Sequence, residues 1–141
     1  MVQFPHISLK KDNYMKFRFY INSFVDHRIN KKIEIPSIEI IDSLKYGECF
    51  NSEVANLSLE YLNEIVPSLE QVLSGVIERY DFGYEVYSIE CTKEISKVMD
   101  ISDNWKAIAE IQTQEIYELM KDWRNYRVVA VCAVNQLLCR S

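Results

Sequence analysis

The stretch from Asn51 to Tyr80 constrains this chain more than any other, because it is the longest helix-compatible run and holds no glycine before Gly75. At about 100° per residue, Val54, Leu57, Tyr61, Leu62, Ile65, Leu69, Val72, Leu73 and Val76 fall on one broad arc. Glu53, Glu60, Glu64, Gln71 and Glu78 fall on a narrow stripe outside it. The pattern predicts a core-seeking helix over about 52–79 with an acidic spine. Asn51 or Ser52 is placed to cap its start, since a short polar side chain accepts a bond from a free N–H of the first turn. Pro67 removes a ladder bond and clashes with the preceding turn, which predicts a kink or two abutting helices there. A break at Pro67 takes Gln71 and Glu78 out of phase with the earlier acids.

The flanking segments supply strands. From Tyr14 to Val25 aromatic and β-branched residues dominate, with Phe17, Phe19 and Ile21 alternating against Lys16, Arg18 and Tyr20. Asp26 to Lys32 reads as a turn, and Ile33 to Ile41 as a second alternating strand that Pro36 confines to an edge or a bulge. Asp42 to Phe50 connects to the helix. Asp81-Phe82-Gly83 is a stop and turn signal, Tyr84 to Cys91 a strand, and Thr92 to Met99 a short helical turn with Ile95, Val98 and Met99 on one side.

Asp103 to Trp123 has two readings, one helix or a strand followed by a helix over about 113–124; the second is preferred because Thr113 makes a good cap and Ile111 fits badly on a single helix. Arg124 or Asn125 then ends the helix, and Tyr126 to Val134 reads as a Val-rich strand covered on both faces. Met1 to Asn13 reads as an arm or short edge segment, and Asn135 to Ser141 as a tail that frays or docks. The chain is thus expected to form a single α+β domain over 1–141, with a mixed or antiparallel sheet of about four to five strands packed by the two helices.

The net charge of −5 conceals an asymmetry. Residues 51–104 hold three basic and eleven acidic side chains, a net of −8, whereas the segments before and after carry +2 and +1. Such a field repels phosphates and draws a basic partner, so direct nucleic-acid binding is not expected. Tyr14-Met15-Lys16-Phe17-Arg18 has the aromatic-and-basic look of an RNA platform, but without a basic surplus it reads as a strand with an outward basic face.

Cys49, Cys91, Cys132 and Cys139 are widely spaced, and only His6 and His27 are present to join them, so no metal site is expected. Reduced thiols, and no signal peptide, point to a cytoplasmic protein. The longest uncharged apolar run, Val128 to Leu138, is too short to span a bilayer. No GxSxG, P-loop, HExxH or GxGxxG motif occurs, and no cofactor is expected.

What remains is the acidic centre, whose acids are interleaved with tyrosines, frequent interface anchors. The partner-binding candidates are Glu53, Glu60, Tyr61, Glu64, Glu78, Asp81, Tyr84, Glu85, Tyr87 and Glu90. In general character, and in the stretch Phe82-Gly83-Tyr84-Glu85-Val86-Tyr87-Ser88-Ile89-Glu90-Cys91, the chain resembles bacterial immunity proteins, including those of contact-dependent growth inhibition. The resemblance implies a non-enzymatic inhibitor that occludes the active site of a cognate protein toxin, a basic nuclease domain being one form, with acidic side chains standing in for phosphates. Two other readings stand beside it. One is a small enzyme or ligand-binding protein using Cys91, His27 or a carboxylate pair. The other is a self-associating structural subunit using Trp105, Trp123 and Val128 to Val134.

Overall fold

The computed structural model describes residues 14–140, with side chains through residue 130. The segment Met1–Asn13, with His6, and the side chains of Cys132 and Cys139 lie outside the described residues, as do the expectations placed on them. The fold is α+β, as the sequence implies, with six strands in two antiparallel sheets instead of four to five in one.

Strands β1 (Phe17–Asp26) and β2 (Lys31–Ile40) form a two-stranded hairpin, paired from Phe17↔Ile40 to Asp26↔Lys31. Its turn is built by Asp26, whose Oδ1 accepts the N–H of Arg28 at 3.0 Å, and by Asn30 in the left-handed region at φ 52°. β2 runs unbroken through Pro36, which sits opposite Ile21. The base of the hairpin packs into the core through Ile38 and Ile40, 2% and 3% exposed, while the rest projects as an arm.

The predicted 52–79 helix is two helices, α1 (Phe50–Ala55) and α2 (Leu59–Leu73), and the break falls at 56–58, not at Pro67. The carbonyls freed at the end of α1 are taken by the last helix: the Trp123 indole donates to Val54 O at 3.1 Å, and Arg127 donates to Leu57 O. Ser58 then caps α2, its hydroxyl accepting the Tyr61 N–H at 3.1 Å. Asn51 does not cap α1. Its side chain instead accepts from Ile40 N at 2.6 Å and donates to Ile38 O, fastening α1 to the outer edge of β2. α2 passes through Pro67 and stops at Gly75, where φ is 82° and the Val76 and Gly75 N–H groups return to Gln71 O and Val72 O, a Schellman turn.

The second sheet follows in the order β3 (Tyr80–Phe82), β4 (Tyr87–Cys91), β5 (Ile95–Asp100) and β6 (Lys106–Gln112). Asp81–Phe82, read as a turn, belongs to edge strand β3. The predicted helical turn at 92–99 is β5, where Ser96 and Val98 are buried and Ile95 and Lys97 exposed, a period of two. Strand β6 then passes directly into α3 (Thr113–Arg140), so the strand-then-helix reading is correct. Thr113 does more than begin the helix: its buried hydroxyl donates to Thr92 O at 2.6 Å and meets Ser96 Oγ at 2.8 Å. The helix does not end at 124 or 125. Tyr126 to Val134, read as a strand, continues α3 to Arg140.

Phe82, Ile89, Cys91, Val98 and Ile111 form the inner layer of the four-stranded sheet, covered by Leu62, Ile65 and Leu69 of α2 and Ile116, Leu119 and Met120 of α3. Trp123 joins this core to the arm, because Phe19 stacks on it at 5.6 Å between ring centroids and on Tyr126 at 4.9 Å. No helix among the described residues is long and apolar enough to cross a membrane. Trp123→Ala removes a side chain that is 0% exposed, leaves the Val54 carbonyl with only its local backbone donors and is expected to cost about 3–5 kcal/mol. A urea melt measures this through the shift in midpoint at unchanged slope.

Candidate partner-binding face

One acid organises the region that carries the predicted site. Glu53, in the first turn of α1, is 5% exposed. Its Oε1 accepts three successive amides of the other half of the molecule, Glu85 N at 3.0 Å, Val86 N at 3.2 Å and Tyr87 N at 2.9 Å. None of the ion pairs among the described residues involves it. Charge-assisted bonds to converging backbone donors replace the water that a buried carboxylate gives up. A second clamp lies alongside, where Cys49 N donates to the Tyr87 hydroxyl at 3.1 Å. The chain folds so tightly here that a Cβ on Gly83 would lie 2.0 Å from Tyr87 O, which explains the glycine.

This loop is laid against α2 by tyrosines. Gly83 N donates to the Tyr61 hydroxyl at 3.4 Å, and the Tyr80 hydroxyl donates to Glu64 Oε2 at 2.9 Å. Burial, and then the bond to Glu64, push the Tyr80 phenol above its ordinary value, so it stays a donor. Glu60 and Glu64 are one helical turn apart on α2 and share a side of it. Glu60, Glu64, Tyr84 and Glu85 are exposed, with Tyr61 and Tyr80 half-buried beside them, along the β3 edge.

The predicted residues therefore divide. Tyr61 and Glu64 of α2 meet Gly83 and Tyr80, with Glu60 one turn before Glu64 and the exposed Tyr84 and Glu85 following Gly83 in the chain. Glu53 and Tyr87 are buried structural groups, not contact residues. Asp81 and Glu90 are cross-strand partners on the outer side of the sheet, and both bind Arg79, at 2.9 and 3.3 Å. Arg79 offsets one of the two charges, and both acids lie on the outer side of the sheet, apart from the Tyr61 and Glu64 side of α2. Glu78 is exposed in the connection between α2 and β3, and the continuous acidic spine fails because α2 ends before it.

The thiol and the imidazole named for an enzyme, Cys91 and His27, are not brought together. Cys91 is 0% exposed, and burial pushes its thiol up to about 12, while His27 sits in the turn at the far end of the arm. An open depression of about 420 Å³ among the described residues is lined by Leu73, Lys93, Glu94, Ile95, Gln112 and Gln114 and contains neither thiol nor imidazole. Of the residues named for self-association, Trp123 is buried. Trp105 is 51% exposed in the turn before β6, at φ 57°. No family model, curated protein or solved structure matches the chain.

Glu53→Ala strands three amides and is expected to cost about 3 kcal/mol, with Glu53→Gln, which keeps an acceptor oxygen, costing about half of that; urea midpoints of the two variants check the order. The raised Cys91 thiol ionises later in the folded chain than in the unfolded one. Its contribution to stability is therefore complete below the ordinary value of 9.0 and is lost as pH rises toward about 12. The expected outcome is a fall of the urea midpoint over that window that is shallower in Cys91→Ala.

Proposed function

We propose that this chain is a protein-binding inhibitor of the immunity-protein type, which docks a basic protein partner on the face formed by Glu60, Tyr61, Glu64, Tyr80, Tyr84 and Glu85. The observation that carries the reading is the gathering of three exposed carboxylates and three tyrosines on one edge that Glu53 and Gly83 hold rigid. A preorganised loop loses little entropy on binding. Carboxylates spaced among aromatic anchors suit a groove that otherwise takes phosphates, such as that of a nuclease toxin domain in the cytoplasm.

The field behind this edge supports the same reading. Residues 41–112 hold five basic against fourteen acidic side chains, so a cationic partner is steered toward the body of the molecule once it comes within about a Debye length. Steering acts on the association rate, and the tyrosines, which lose water on contact, act on the dissociation rate. The two kinds of residue are therefore separable by kinetics.

The test first asks whether the reading frame beside this chain encodes a toxin domain, and then uses that domain in purified form. Association is expected to slow markedly from low to high salt, and Glu60→Lys with Glu85→Lys to slow it about tenfold at low salt, while Tyr84→Ala mainly speeds dissociation. A toxin domain that binds at a rate indifferent to salt and to the double variant would contradict the proposal.

A further inference from the structure

The arm presents a surface that the acidic face does not account for. Beyond the buried base, Tyr20, Ile21, Phe24, Val25 and Ile35 are 37–49% exposed, and Ile29 in the turn is 55% exposed. Tyr20, Phe24 and Ile35 share one face of the ribbon and Ile21 and Val25 the other, so both faces of the arm are apolar and open to solvent. The seven residues from Phe19 to Val25 carry no charge, so β1 lacks the lysines with which natural sheets guard an edge.

The two edges of the arm differ. Asn51 occupies the outward N–H of Ile40 and the outward C=O of Ile38, and Pro36, two residues on, has no N–H to offer. The edge of β2 is therefore blunted. By the alternation of an antiparallel pair, the residues of β1 opposite these, Phe17, Phe19 and Ile21, and then Ser23 and Val25, aim their N–H and C=O groups away from β2. No described residue bonds that edge.

The sequence of β1 indicates what does. Phe-Arg-Phe-Tyr-Ile-Asn-Ser-Phe-Val-Asp is nearly self-complementary about Asn22 when run against itself. A two-fold axis there sets Arg18 against Asp26 of a second copy, Tyr20 against Phe24, and Phe19 against Val25. With the pairing already present in each arm, the row across four strands becomes Glu39, Arg18, Asp26, Lys31, alternating in sign. Moving the axis to Ser23 sets Arg18 against Arg28 instead, and moving it to Ile21 sets Arg18 against Phe24. The hydrogen-bonding parity also agrees, since an axis at Asn22 makes Phe19 with Val25 and Ile21 with Ser23 the bonded pairs, and these are the residues whose backbone groups face outward.

We propose that two copies of this chain associate through antiparallel pairing of β1 with β1 about Asn22, joining the two arms into one four-stranded sheet. The proposal is independent of the acidic face, which lies on the body and would be displayed twice in the dimer.

Sedimentation equilibrium of the intact chain at micromolar concentration is expected to give twice the chain mass. Asn22→Lys, which brings like charges together on the axis, is expected to halve it with the far-ultraviolet circular dichroism of the folded chain unchanged. Asn22→Cys lies at a non-hydrogen-bonded pair, where side chains approach most closely, and is expected to cross-link two chains on oxidation, whereas Asn30→Cys at the arm tip is not. A monomer would overturn the proposal, and flotation of that monomer with anionic lipid vesicles, or a β1 edge protected from hydrogen exchange in it, would assign the edge to a membrane surface or to residues 1–13. A dimer that persists in Asn22→Lys and does not cross-link in Asn22→Cys would overturn it equally.

Discussion

The carboxylate of Glu53 is the interaction on which the rest of this molecule turns. A side chain from α1 reaches across to the entrance of β4 and fixes three consecutive amides by one oxygen. That contact sits at the start of β4, the strand that pairs with β5 and through it with β6, which leads into α3. It also shapes the 83–86 loop, on which Tyr84 and Glu85 reach solvent. An acid that the charge count assigns to the outer surface is an internal strut, and its burial is tolerated because the backbone supplies donors instead of a cation.

A second centre lies at Trp123, where the indole closes the end of α1 while the ring stacks on Phe19 at the root of the arm. Through it the two sheets, which share no strand, are held to one core. The division of labour that results is chemical as well as structural. The body carries the acidic excess, with five basic and fourteen acidic residues over 41–112, whereas the arm carries four basic and three acidic residues over 17–40 and a run of exposed apolar side chains, Tyr20, Ile21, Phe24, Val25 and Ile35. Two different surfaces thus project from a single core, one suited to a cationic partner and the other to an edge-on strand.

Much of this was legible in the residues. The alternation of Phe17, Phe19 and Ile21 against charged neighbours marks β1, and Ile33 to Ile41 marks β2. Ile111 followed by Thr113 marks the passage from β6 into α3. The misreadings have physical causes. Ile95, Val98 and Met99 satisfy helical spacing, but Ser96 is buried with Thr113 while Ile95 and Lys97 face out, so the pairing with β4 and β6 overrides the local pattern. Val128 to Val134 has strand-like composition, and nothing local forbids it from extending a helix already nucleated by Ile116 to Trp123. The break at 56–58 lies in an unbroken apolar phase; Asn56 and Ser58 close it locally, and Trp123 and Arg127 of α3 bond its carbonyls from some 70 residues away. Of the site, the tyrosines and Glu60, Glu64 and Glu85 were visible as composition; that Arg79 pairs with Asp81 and Glu90 on the outer side of the sheet, and that Glu53 turns inward, depend on contacts between strands and helices that no single segment encodes.

Amide hydrogen exchange at Glu85, Val86 and Tyr87 tests the central claim most directly. If Glu53 holds these three amides, they exchange as slowly as those in the middle of β4, and Glu53→Ala accelerates them more than the amides of β5. Exchange at the rate of an open loop in the unaltered chain, or no difference between the two chains, would contradict it.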